Sequence, residues 1–243
     1  MIATTAPVDV ALAAAATLVA SAFALSTADR WLRRHRIQDA AWTMSLALFA
    51  LGSAALWWGF ARGWSRASFR VFYLAGAVLN VPWLALGTVA LVAGPVLVRR
   101  LWTGLVWTSG LATGVVLVAP MRSAVPRDEL PAGRELFGAW PRVLAAVGSG
   151  VAALVIVGIA IATTVRFVRT RQAPVRRVVG SLVIAAGTLV LSASGTFAGR
   201  LGKDRAFAVT LLAGISILFA GYLASSLPAA RRVRPTIAAA ASR

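Results

Sequence analysis

The sequence predicts an all-α, single-domain bundle of seven membrane-spanning helices, N-terminus outside and C-terminus inside. Three observations carry this reading. Of 243 residues, 59% are hydrophobic and 13% charged, against roughly 45–50% and about 25% in an ordinary soluble domain. Seven runs of 19 or more residues contain no Asp, Glu, Lys or Arg, and each approaches or exceeds the ~20 helical residues that cross about 30 Å of hydrocarbon. None has the ten-residue alternation of barrel strands. Lipid offers backbone groups no partner, so helices are the remaining choice.

The first run, 10–28, follows Asp9 and no basic residue, which argues for a retained helix rather than a cleaved leader despite Ala22-Phe23-Ala24. The next three, 40–61, 71–98 and 101–121, are separated by arginine-bearing segments, and the longest loop, Met121 to Arg142, precedes the fifth run, 143–165. That loop carries Pro126, Pro131 and Pro141 among Arg127, Asp128, Glu129, Arg134 and Glu135, and is expected to form a rigid, self-paired cap over the bundle mouth. The runs 178–199 and 206–230 complete the set, followed by a short basic tail, 231–243. Between these runs there is no room for a separate soluble domain.

Orientation follows from Lys and Arg, which cytoplasmic segments accumulate. With the N-terminus outside, the inner segments hold 15 and the outer segments 10. The net charge of +18 is spread over both faces. Topology and attraction to anionic inner-leaflet lipids account for it, and nucleic acid is not expected as a partner. Arg outnumbers Lys 24 to 1 amid abundant Ala, Gly and Val, a usage typical of GC-rich bacteria, so the bacterial inner (plasma) membrane is the expected location. Trp57, Trp58, Trp64 and Trp140 fall at the outer boundary and Trp31, Trp42 and Trp102 at the inner, as interfacial indoles do, whereas Trp83 and Trp107 lie deeper.

Much chemistry is excluded by residue type. The chain has no Cys and one His, His35, so thiolate centres, disulfides and bis-His haem are ruled out and no metal or cofactor is expected. No charged residue lies within any run, which removes the proton relays of pumps. The only lysine, Lys203, falls in a loop, so a retinal Schiff base is not expected. Serines are abundant, but no base is placed to activate one, and an enzyme is not expected.

The third run holds the most informative stretch, Leu79-Asn80-Val81-Pro82-Trp83. On a regular helix Gly76, Asn80, Trp83, Gly87, Ala90 and Gly94 share one stripe facing other helices. Pro82 frees the carbonyl of Val78, so a kink or a polar partner is expected there. Asn80 then either hydrogen-bonds neighbouring helices while Trp83 fills the core, or the two line a midplane cavity for a largely neutral ligand. The sixth run offers Ser192, Ser194 and Thr196 as further candidate ligand contacts, with Gly195 and Gly199 as close-packing positions, and Gly214 and Gly221 form a similar seam in the seventh. Tight contact between helices six and seven is expected.

The stretches FALSTADRWLRRHR (Phe23 to Arg36), FRVFYLAGAVLNVPWLALGT (Phe69 to Thr88) and LSASGTFAGRLGKDRAFAVT (Leu191 to Thr210) resemble a family of uncharacterised seven-helix membrane proteins of actinobacteria. That resemblance spans nearly the whole chain and implies the fold, but no site or activity. The opening is loosely similar to the seven-helix sensor regions of bacterial signalling proteins. The expectation is therefore a non-catalytic binding or interaction module, sensor-like or a complex subunit, with a membrane-protein partner possible. The alternative is a carrier of a small neutral or weakly anionic solute.

Overall fold

The computed structural model describes residues 7–170, positions 183, 186 and 187, and 203–226. The described elements are α1 (Pro7–Arg34), α2 (Ile37–Arg62), α3 (Arg66–Val89), α4 (Pro95–Val118), the short α5 (Gly133–Leu136), α6 (Ala139–Thr170) and α7 (Lys203–Ser226). Among the described residues, α1, α2, α3, α4 and α6 are each long and apolar enough to cross a membrane, and α7 adds the apolar stretch Arg205–Ala220. The fold is a helical bundle with the character of a membrane protein.

Charge-free runs locate the helices but not their ends. The run 71–98 is not one helix: α3 stops at Val89 and α4 starts at Pro95, ahead of Arg99 and Arg100. Proline lacks an N–H and disfavours helical conformation in the residue before it. Gly94 accordingly lies extended, at φ −70° and ψ 156°, and caps α4 with Pro95 in its first turn. Gly94 is thus an exposed helix cap, not part of the packing stripe expected of the third helix.

The basic segment after the first run is itself helical. α1 continues through Arg30, Arg33 and Arg34, and only His35 and Arg36 separate it from α2. His35 turns the chain at φ 48°, a left-handed conformation that histidine tolerates better than most residues. Directly beyond, Asp39 in the first turn of α2 is buried and meets Arg30 Nη2 at 2.5 Å. Arg30 also lies over the Trp42 ring, 5.6 Å from its centroid. At the opposite end of α1, buried Asp9 accepts a hydrogen bond from Arg205 Nε of α7 at 3.3 Å. Each of these acids opens a helix, where the partial positive charge of the N-terminus favours it.

The core runs between α1, α2, α3 and α7 through Ala13, Ala16, Ala20, Phe23, Phe49, Leu56, Ile215 and Leu218. Small alanines on α1 let α2 approach closely. At the end where α2 passes into α3, the core becomes aromatic. Trp64, in the turn between α2 and α3, is buried among Phe60, Phe69 and Phe72. The loop 119–138 inserts Leu136 and Phe137 into this cluster, with the Phe137 ring 4.9 Å from Tyr73 and 5.5 Å from Phe69. Backbone bonds from Arg122 N to Leu136 O (3.0 Å) and from Trp64 N to Arg127 O (3.1 Å) hold the loop down. Its charges contribute an exposed contact between Arg134 and Glu135. Apolar insertion therefore does most of the anchoring, since an exposed pair contributes at most about 1 kcal/mol.

Relief of the left-handed turn gives a direct test. His35→Gly should stabilise the purified protein by up to about 1 kcal/mol, and His35→Val should destabilise it by a similar amount. Thermal unfolding in detergent reads both.

Candidate functional site

α3 is built from three stretches. Arg66–Phe72 is α-helical, Tyr73–Leu79 is a π-helical segment, and Asn80–Val89 is α-helical again. Ser65 starts it with a capping box, in which Ser68 N donates to Ser65 Oγ at 3.1 Å and Ser65 N to Ser68 Oγ at 2.9 Å. The π segment has a local cause in Pro82, which has no N–H to give to Val78 and would crowd that carbonyl in a regular helix. Widening the preceding turns is one of the few ways a helix accommodates such a break.

Neighbouring helices meet the disturbed backbone with hydroxyls. Ser149 Oγ of α6 donates to Ala77 O at 2.6 Å, and Ser45 Oγ of α2 donates to Asn80 O at 2.8 Å. These hydroxyls serve the carbonyls one residue before and two after Val78, where a polar partner is expected. Glycines bring the helices close enough for these short side chains to reach. A Cβ on Gly52 would lie 3.2 Å from Gly76 Cα, tighter than ordinary packing, whereas one on Gly148 would make ordinary contact with Pro82 Cγ and Val78 O at 3.8 Å.

Of the candidate site residues, Asn80 is buried at 7% exposure and Trp83 at 4%, so both belong to the interior of the bundle. Trp83 donates from Nε1 to Ser109 Oγ of α4 at 3.2 Å and sets its ring edgewise to Trp102, centroids 4.9 Å apart. Gly87 faces the Trp42 ring so closely that an added Cβ would lie 2.2 Å from Trp42 Cδ1. Gly214 and Leu218 of α7 contact Gly187 of the sixth run, where a Cβ would be 3.1 Å from Gly214 O. Gly221 lies in the last turns of α7. Ser192, Ser194, Gly195, Thr196 and Gly199 lie outside the described residues.

Asn80, Pro82, Trp83, Gly76 and Gly87 are therefore gathered where α3 meets α2, α4 and α6. Sequence reasoning missed Ser45, Ser109 and Ser149, and the glycines Gly52, Gly148 and Gly187. A serine inside an apolar run is a weak signal, because its hydroxyl can also bond the carbonyl one turn back, as Thr17 and Thr88 do here. The assembled groups are hydroxyls, an indole, a carboxamide and carbonyls. The hydroxyls, the indole and the carbonyls exchange hydrogen bonds, with the buried Asn80 carboxamide among them, and none of these groups is a strong acid or base at neutral pH.

Two substitutions test this seam. Ser149→Ala should cost about 0.5–1.5 kcal/mol, the range of hydrogen bonds between helices in membranes. Gly87→Ala should cost about 1–3 kcal/mol through overpacking against Trp42, be partly rescued by Trp42→Leu, and contrast with a near-neutral Gly94→Ala. Denaturation in mixed micelles gives the comparison. Comparison of the chain with known proteins finds no matching family model, no similar curated protein and no similar solved structure.

Proposed function

We propose that the protein is a non-catalytic integral membrane protein that works as a binding and interaction module, sensor-like or a complex subunit. One observation carries the reading. Around the broken helix, where a carrier would need polar groups turned toward a solute, Ser45, Ser149 and Trp83 spend theirs on hydrogen bonds between helices. A seam closed in this way favours a fixed scaffold over a solute path.

The outward faces support the same reading. In the most apolar stretches of α4 and α6 only 11% of residues are buried, against 33–44% in α1, α2 and α3. Trp107 is 77% exposed and Leu154 74%, and a Cβ on Gly104 or Gly110 would meet nothing within 4 Å. Such a surface suits lipid or the helix of a membrane-protein partner. The carrier alternative keeps one observation of its own: Ser53 Oγ is buried without a hydrogen-bond partner among the described residues.

In this proposal the chain is a member of the actinobacterial seven-helix family and crosses a bacterial plasma membrane seven times, with the run 178–199 as the sixth crossing. The Asp9–Arg205 contact sets the N-termini of α1 and α7 at the same end of the bundle. That supports an even number of crossings between those two termini, which the five described spanning helices reach with the run 178–199 as a sixth. The arginines of the α1–α2 turn and of the tail then face anionic lipids of the inner leaflet.

The absence of native cysteine permits a clean test. Ser123→Cys in intact cells should react with a membrane-impermeant maleimide and His35→Cys should not; the reverse pattern would overturn the orientation. A photo-crosslinking residue at position 107 should yield one discrete protein adduct that position 116, buried in α4, does not. Solute uptake abolished by Asn80→Leu without loss of stability would instead decide for the carrier.

A further inference from the structure

A groove of about 760 Å³ opens on the membrane-facing side between the end of α4 and the start of α6. Its size falls within the roughly 300–1,000 Å³ of small-molecule sites. Leu111, Gly114 and Val118 form one wall and Trp140 and Pro141 the other, and its lining is almost wholly apolar. Gly114 keeps the α4 wall low, since an added Cβ there would meet nothing within 4 Å. The groove begins level with the last residue of one spanning helix and the first of another, which is headgroup depth. Trp140, 75% exposed on its edge, is the residue type that settles at that depth.

The head of the groove is cationic. Gly138 lines it, and Arg122 lies over that glycine, with Nη2 3.7 Å from where a Cβ would stand. Arg122 is exposed and in no ion pair among the described residues. Arg142 follows the lining residue Pro141 in α6 and is exposed as well. The guanidinium lies within ordinary contact distance of position 138, at the end of the groove. An arginine fork is matched to phosphate oxygens, and the slot beneath it is matched to hydrocarbon.

We propose that this groove is a binding site for one phospholipid with a net negative headgroup, from the leaflet that the 119–138 loop faces. An acyl chain lies between α4 and α6 and the phosphate is held by Arg122, with Arg142 adding charge. Charge complementarity selects this occupant. A partner helix would leave the arginines uncompensated, and a zwitterionic lipid would satisfy them less well. The proposal is independent of the interaction reading and of which face is outside.

Native mass spectrometry of the full chain, released from nanodiscs of phosphatidylcholine doped with phosphatidylglycerol, tests it. The wild type should retain one phosphatidylglycerol with about tenfold preference over phosphatidylcholine. Arg122→Gln should remove most of that preference and Arg122→Lys should keep part of it. Val118→Trp, which fills the groove, should lower retention of both lipids. Arg134→Gln removes an exposed arginine from the same loop and should change nothing. Equal retention of both lipids by the wild type, an effect of Arg134→Gln as large as that of Arg122→Gln, or a dimer with no bound lipid would each overturn the assignment. Unaltered phosphatidylglycerol retention in a folded Val118→Trp protein would do the same, because the lipid would then sit elsewhere.

Discussion

In hydrocarbon, a backbone carbonyl or amide without a partner has no water to turn to, and each one left open costs several kcal/mol. Pro82 imposes that problem in the middle of α3. It removes a donor and crowds the carbonyl one turn earlier, and the π segment Tyr73–Leu79 spreads the disturbance over two turns. Hydroxyls must then come from outside the helix, and serine reaches only if the neighbouring backbone is very near. This accounts for the company the serines keep: Ser149 follows Gly148, which lies against Pro82, and α2 meets α3 through Gly52 on Gly76. The seams of α2 and α6 against α3 thus meet at the stretch that Pro82 disturbs.

Charge is handled by position. Burying an ion is costly unless it is paired. Among the described residues the buried acids, Asp9 in α1 and Asp39 in α2, lie at helix starts, and each has an arginine from another helix. These pairs fasten the two ends of α1, one to α7 and the other across the tight turn to α2. Between them α1 is alanine and other small or apolar residues, which transmit little directional information. The pairs therefore define its register against its neighbours.

α4 is held differently from the rest. Its end is tied down by Arg70 of α3, which donates to Leu117 O and, at 2.8 Å, to Ala119 O, so a cation serves the unpaired carbonyls of a helix C-terminus. The Trp83–Ser109 bond and the Trp83–Trp102 contact fix its middle. Most of its remaining surface faces outward. The membrane-facing groove beside it lies where the end of α4 and the start of α6 flank the folded loop 119–138.

Hydrophobicity and the spacing of charges were enough to make this chain a helical membrane protein, because the bilayer's thickness and lack of hydrogen-bond partners act on every segment independently of its neighbours. Pro82 and Asn80 also stood out, as a proline and an amide in an apolar run do in any context. The helix ends were less legible: Gly94-Pro95 broke a charge-free run that lacked any change of polarity at that point. The buried pairs were hidden because acids at run boundaries look solvated until another helix is brought against them. Which serines would serve the broken helix was decided only in three dimensions. A hydroxyl can bond its own carbonyl or a neighbour's with similar energy, and the distance between backbones, set by glycines on different helices, selects between the two.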